Sequence, residues 1–70
     1  MERTRVISSS ISEVGYDGAS VLEIKFPRGA IFQYFNVPHS KVFEMMTSDS
    51  IGRYFAMNIK DKFKCKKIEG

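Results

Sequence analysis

The chain has 70 residues, 43% of them hydrophobic and 27% charged, and a formal net charge of +3. That length holds one domain and excludes Rossmann, barrel and two-lobed enzyme architectures, and the composition is that of a globular chain, not a disordered one. The single cysteine, Cys65, excludes a disulfide framework and a cysteine-based zinc site within one chain, no apolar run approaches the ~20 residues of a membrane span, and the first ten residues hold no apolar signal core, so a cytoplasmic location is expected.

In chain order, Val6 and Ile7 read as a short edge segment, and Ile11 to Tyr16 as a half-buried strand. Asp17-Gly18 is a strong turn signal. Residues 21–26 then alternate, with Leu22, Ile24 and Phe26 on one face and Val21, Glu23 and Lys25 on the other. Pro27-Arg28-Gly29 predicts a second turn and Ala30 to Asn36 a third strand. The second half reads as helices. The first runs from Pro38 to about Met46, with Asn36 or Ser40 as caps, and buries Val42, Phe43 and Met46. Residues Thr47 to Ser50 break it and cap a second helix, whose apolar stripe is Ile51, Phe55, Ile59 and Phe63. Gly52 and Ala56, four apart, allow a neighbouring backbone to come close. The expected fold is therefore α+β: a three-stranded antiparallel meander followed by two helices packed on one face, with a basic C-terminal tail over 60–70. So small a core contributes only ~3–5 kcal/mol, which leaves self-association open.

The charge is unevenly placed. Residues 1–59 are neutral, with six basic and six acidic side chains, and the excess lies in Lys60, Lys62, Lys64, Lys66 and Lys67. Such a segment attracts phosphate backbones by counterion release; its plainer reading is a solubilising end. If extended, it places Lys60, Lys62, Lys64 and Lys66 on one side and blunts a sheet edge against aggregation.

Little in the chain suggests catalysis. His39 is the only histidine and stands at a predicted helix start, Cys65 is a free thiol among lysines, and no carboxylate pair, phosphate-binding glycine loop or metal-ligand cluster is present. A non-enzyme without metal or cofactor is expected. For binding, the aromatic run Phe32-Gln33-Tyr34-Phe35 is the densest. On a strand, Phe32 and Tyr34 share one face and Ile31, Gln33 and Phe35 the other. Phe32 and Tyr34 are either core or a base-stacking pair, with Tyr16 and Phe35 as further stacking candidates. Val21, Ile31 and Phe35 would form an outer apolar patch suited to a protein partner or a second copy. Arg53, in the first turn of the last helix beside Asp49 and Ser50, is either a surface arginine at a cap or a phosphate ligand.

Ser8-Ser9-Ser10-Ile11, Val14-Gly15-Tyr16-Asp17, Leu22-Glu23-Ile24-Lys25-Phe26, Gly29, Phe32-Gln33-Tyr34, Val37-Pro38 and Ser50-Ile51-Gly52-Arg53-Tyr54-Phe55 occur in an order and spacing that resemble the KTSC domain. That family is named for the C-terminus of some lysyl-tRNA synthetases and also occurs as small stand-alone proteins. The family's central motif is usually tyrosine-x-tyrosine; here its first position is Phe32. The resemblance implies no assigned reaction and, through the synthetase context, RNA binding. The resulting expectation is a non-catalytic module that binds RNA, tRNA included, through Lys60, Lys62, Lys64, Lys66, Lys67, Arg53 and Arg28 with Phe32 and Tyr34. The alternative is a protein-interaction or self-associating module using Val21, Ile31 and Phe35.

Overall fold

Asp17 and Gly18 turn the chain as their chemistry predicts in a computed structural model describing residues 1–70. The Asp17 carboxylate accepts from the backbone N–H groups of Ala19, Ser20 and Val21 at 2.8–3.0 Å, and Gly18 takes a φ of 84°. The turn joins β2 (Glu13–Tyr16) to β3 (Leu22–Lys25); the Pro27-Arg28-Gly29 turn joins β3 to β4 (Ile31–Tyr34). These three strands are the expected meander. The sheet is wider, however. β1 (Thr4–Arg5) pairs with β2, and β5 (Cys65–Glu69), which follows both helices, pairs with β4. All pairings are antiparallel and the strand order is sequential, giving five strands where three were expected. The edge segment is Thr4–Arg5, displaced from Val6 and Ile7, and Ile7 is fully exposed. The C-terminal lysine segment is an edge strand with no buried side chain, held by its backbone ladder.

The helices are α1 (His39–Thr47) and α2 (Ile51–Asn58). Pro38 occupies the N-cap of α1, and neither Asn36 nor Ser40 caps it. The buried face of α1 is Val42 and Met45, while Phe43 is 62% exposed and Met46 is also exposed. At about 100° per residue, Met45 falls to one side of Val42 and Met46 to the other, so either roll satisfies the pattern. Packing selects the Met45 side. Ser50 caps α2 by accepting from the Arg53 N–H at 3.2 Å. The helix ends at Asn58, five residues before Phe63, because the Phe55 carbonyl accepts from both Ile59 and Lys60. Phe63 still packs on the core, from the turn that follows.

The register sorts the sheet into two faces. Val14, Tyr16, Leu22, Ile24, Phe32 and Tyr34 lie on the helix side, where Ile11, Val37, Val42, Met45, Phe55 and Ile59 complete the core. The Tyr16 hydroxyl lies 2.7 Å from the Val37 carbonyl oxygen and 2.9 Å from that of Ala19, tying the start of the helical half to the β2–β3 turn. The open face is a polar ladder. Arg3 donates to Glu13 and Glu23, Gln33 donates to Glu23 at 2.9 Å, and Lys25 pairs with Glu13 at 3.9 Å. Glu23 is only 3% exposed although it faces away from the helices, because the N-terminal segment crosses it. A side chain on Gly15 would place its Cβ 2.6 Å from the Glu2 carbonyl oxygen, so only glycine leaves room for that crossing.

Two outcomes follow. Burial of Glu23 opposes its ionisation, but the hydrogen bonds of Gln33 and Arg3 outweigh it and hold its carboxyl below the ordinary value; Arg3 does the same for Glu13 and backbone N–H groups for Asp17. A depressed folded-state pKa contributes stability above the unfolded value, about 4 for these groups, and loses it as pH falls through the folded values. Thermal midpoints should be flat from pH 7 to 5 and drop below pH 4, and Glu23→Gln should lower the neutral midpoint while making it less sensitive to acid. Tyr16→Phe removes the single O–H donor placed between the Val37 and Ala19 carbonyls and should cost about 1–2 kcal/mol in urea denaturation.

Candidate functional site

The helix face of β4 and the inner side of α2 do not close on each other completely. Between them lies a cleft of about 520 Å³. Four aromatic rings build its walls. Phe26 stands edge-on to Phe32 and to Phe55, each with ring centroids 5.8 Å apart; Tyr34 stands edge-on to Phe55 at 5.3 Å; and Phe32 and Tyr34 lie 6.5 Å apart at a 31° tilt. These are ordinary separations for aromatic pairs that favour edge-to-face contact. Phe32 and Tyr34 come from alternate positions of β4, so the pleat puts both rings on one side.

Small residues keep the space open. Gly52 and Ala56 are the small α2 residues at the cleft, one turn apart and flanking Phe55. A Cβ at Gly52 would lie 2.9 Å from the Ser10 Cβ, so glycine lets the serine segment lie directly on the helix. That segment is shaped by Ser8, whose hydroxyl accepts from the N–H groups of Ser10 and Ile11. Polar groups gather at one end: Lys60 and Asp61 from the turn after α2, and Cys65 from the start of β5. Tyr34 reaches toward them. It is 3% exposed, its hydroxyl makes no hydrogen bond within the protein, and no fully buried polar side-chain atom in the chain lacks a partner. The hydroxyl therefore meets solvent, and the cleft is the opening that Tyr34 lines. Burial first, and then the neighbouring Cys65 and Asp61, pushes this phenol up to about 12, so it is a neutral donor at physiological pH.

Phe32 and Tyr34 both belong to the packed side of the sheet, as their core reading expected, and both also border open space. The lysines are divided by the turn and by β5. Lys60 and Lys62 lie in the turn, so the expected single row of Lys60, Lys62, Lys64 and Lys66 does not form. Lys66 pairs across from Gln33 on the open face, and Lys64, two residues earlier, carries the carbonyl that accepts from the Phe35 N–H. Lys67 pairs across from Phe32 and Cys65 across from Tyr34, on the cleft side. Gly70 packs against Ala30 and the Gly29 carbonyl, which sets the exposed Arg28 turn at the far end of β5. Arg53 is elsewhere. With Asp49 it borders a separate depression of about 290 Å³, on the α2 face that carries Tyr54 and Met57.

The outer patch changes as well. Ile31 does share the open face with Gln33, but it is only 4% exposed, paired between Lys25 and Glu69, and Val21 and Phe35 are half-buried. β5 is the reason: it covers the edge of β4 that a three-stranded sheet would leave bare. Cys65 is a free, exposed thiol. His39 is exposed at the start of α1, its ring 6.2 Å from that of Tyr16. No three histidine, cysteine, aspartate or glutamate side chains converge in a way that could hold a metal ion. Sequence reasoning missed the cleft's α2 wall and the roles of Asp61 and Ser10 in it; the small Gly52–Ala56 pair was the available signal.

The fold and the cleft can now be set beside known proteins. The family model of the KTSC domain matches residues 7–63. A solved KTSC domain protein from Yersinia pestis superposes with a TM-score of 0.88, at 42% identity over 96% of both chains. An uncharacterised protein of Stutzerimonas stutzeri is 39% identical over 56 residues, 79% of each chain. A Tsukamurella paurometabola protein is 33% identical over 60 residues, covering 84% of this chain and 90% of its own. With serine turn, meander, β4 aromatics and α2 all inside the matched span, the chain belongs to the KTSC domain family.

Proposed function

We propose that this protein is a non-catalytic RNA-binding module that engages the phosphate backbone along the β5 edge. The observation that carries this reading is that β5 pairs with β4. Pairing turns the charged end of the chain into an ordered edge strand that carries Lys66 and Lys67 on opposite faces, with Lys64 just before it and Lys60 and Lys62 in the preceding turn. Arg28 stands at the end of that border. The remaining charge over residues 1–59 is balanced, and much of it is consumed within the Arg3–Glu13–Glu23–Lys25 ladder. A cationic border on a neutral body supports binding dominated by phosphate contacts, with weak sequence preference.

The reading is tested by following backbone amides while bulk tRNA is added at low and at moderate salt. Shifts should map to residues 60–69 and the Arg28 turn and should weaken as salt rises. If all five lysines engage single-stranded phosphates, log affinity should fall against log salt with a slope of about −3.5. Changing the five lysines to glutamine should flatten that slope and lower affinity. An absence of shifts at low salt would overturn the reading and leave β5 as a solubilising, aggregation-blocking edge.

A further inference from the structure

We infer that the aromatic cleft between β4 and α2 is a nucleotide site: it takes one unstacked nucleobase, with the phosphate of that nucleotide held at the Lys60 and Lys67 side. The inference rests on the RNA reading above and gives it a substrate class, a single-stranded nucleotide and not a duplex.

Shape is the first argument. About 520 Å³ lies within the range of small-molecule sites, ~300–1,000 Å³. Its walls are ring faces and edges from Phe26, Phe32, Tyr34 and Phe55, which suit a planar aromatic guest, since every base has a π-face to offer. Polarity is the second. The Tyr34 hydroxyl, on a side chain 3% exposed, lacks any partner in the protein and opens on the cleft. A neutral phenol is a donor, and Asp61 and Ser10 place an acceptor and a hydroxyl on the same lining. A guest bearing both donors and acceptors on the edge of a flat ring satisfies this set; a plain hydrocarbon ring would leave it unpaired. Charge is the third. Lys60 lines the cleft, and Lys67 shares the sheet face of Phe32, so an anion joined to the ring meets cations on leaving the pocket.

A stacked duplex cannot insert a base without flipping it out, whereas a single strand or a free mononucleotide can. These two sources share one chemistry, and the experiment separates them. Aromatic side-chain resonances are followed while the full chain is titrated with adenosine or uridine 5′-monophosphate, with ribose 5-phosphate, and with a short single-stranded oligonucleotide. The ring signals of Phe32, Tyr34 and Phe55 should move with the mononucleotide and the oligonucleotide, and the mononucleotide should bind at least about tenfold more tightly than ribose 5-phosphate. Ala56→Leu, on an exposed helical position at the cleft, fills the space while every lysine is retained and should weaken mononucleotide binding at least tenfold. Tyr34→Phe keeps the ring and removes only a hydroxyl that bonds nothing in the protein; it should fold as the parent does and bind severalfold more weakly. Equal binding of mononucleotide and ribose 5-phosphate, or parental affinity in both variants, would overturn the inference. If the oligonucleotide moves the lysine amides while the rings stay still, the RNA reading stands and the cleft inference falls. If the mononucleotide fills the cleft and no strand binds at low salt, the cleft inference stands for a free nucleotide and the RNA reading falls.

Discussion

The backbone ladder between β4 and β5 is the interaction on which the rest of the surface depends. β5 buries none of its five side chains, so it is there because its N–H and C=O groups complete those of β4, not because it adds to the core. Its consequences are nonetheless large. It covers an edge that would otherwise expose a strand carrying Phe32 and Tyr34, with Phe35 next in line. It places Cys65 opposite Tyr34 and Lys67 opposite Phe32, which forms one border of the cleft. A register shift at Ile31 and Phe32 then lets Glu69 oppose Ile31 and closes that residue off from solvent. The same pairing thus removes an apolar patch, builds a cleft wall and orders a cationic edge.

The two faces of the sheet are governed by different physics, and this limits where a ring could be offered to a partner. On the open face, Glu23 sits in the middle strand, nearly excluded from water. Isolated, such a carboxylate would be costly to bury; bonded to Arg3 and Gln33, it stays ionised. Because Arg3 arrives from the N-terminal segment lying over Gly15, that face is strapped by charge and presents no aromatic platform. All the β4 rings that could stack lie on the other face, under α2. An open-sheet stacking mode, common among RNA-binding domains, is therefore not available to this chain, and only the gap beside α2 gives access.

The meander was legible in the sequence because its signals are local and agree: alternation over residues 21–26, an Asp-Gly turn, a Pro-Arg-Gly turn. The Ser50 cap was legible for the same reason. β5 was not, because Cys-Lys-Lys-Ile-Glu has neither apolar alternation nor burial, and strand character there is conferred by the neighbour. β1 is two residues long and charged at Arg5, with the same result. In α1 the apolar positions allow two rolls, and only tertiary packing chooses Met45 over Met46. In α2 the stripe continues in phase to Phe63 although the helix ends at Asn58, since Phe63 reaches the core from a turn. The residue types of the site were visible, but the cleft was not. It is assembled from the serine segment, β4, α2 and the start of β5, and no spacing along the chain encodes their meeting.

The distribution of burial argues that the cleft is compatible with stability in so small a domain. Six large side chains are fully enclosed: Ile11, Leu22, Ile24, Val37, Met45 and Ile59. None is aromatic. The aliphatic group supplies the dry, close-packed interior, where deleting a methylene group is strongly felt. The rings of Phe26 and Phe32 are only half-buried and pack against that interior from one side. Their mutual edge-to-face contacts hold the cluster together without requiring its outer faces to be covered. A chain whose core contributes only a few kcal/mol can leave aromatic surface uncovered only at the margin of its core: Tyr34 and Phe55 are buried with the aliphatic group, and the half-buried Phe26 and Phe32 carry the uncovered surface. The unpartnered Tyr34 hydroxyl lies at that border: the ring is packed, and its polar end is turned to the one place in the fold where a partner from outside can reach it.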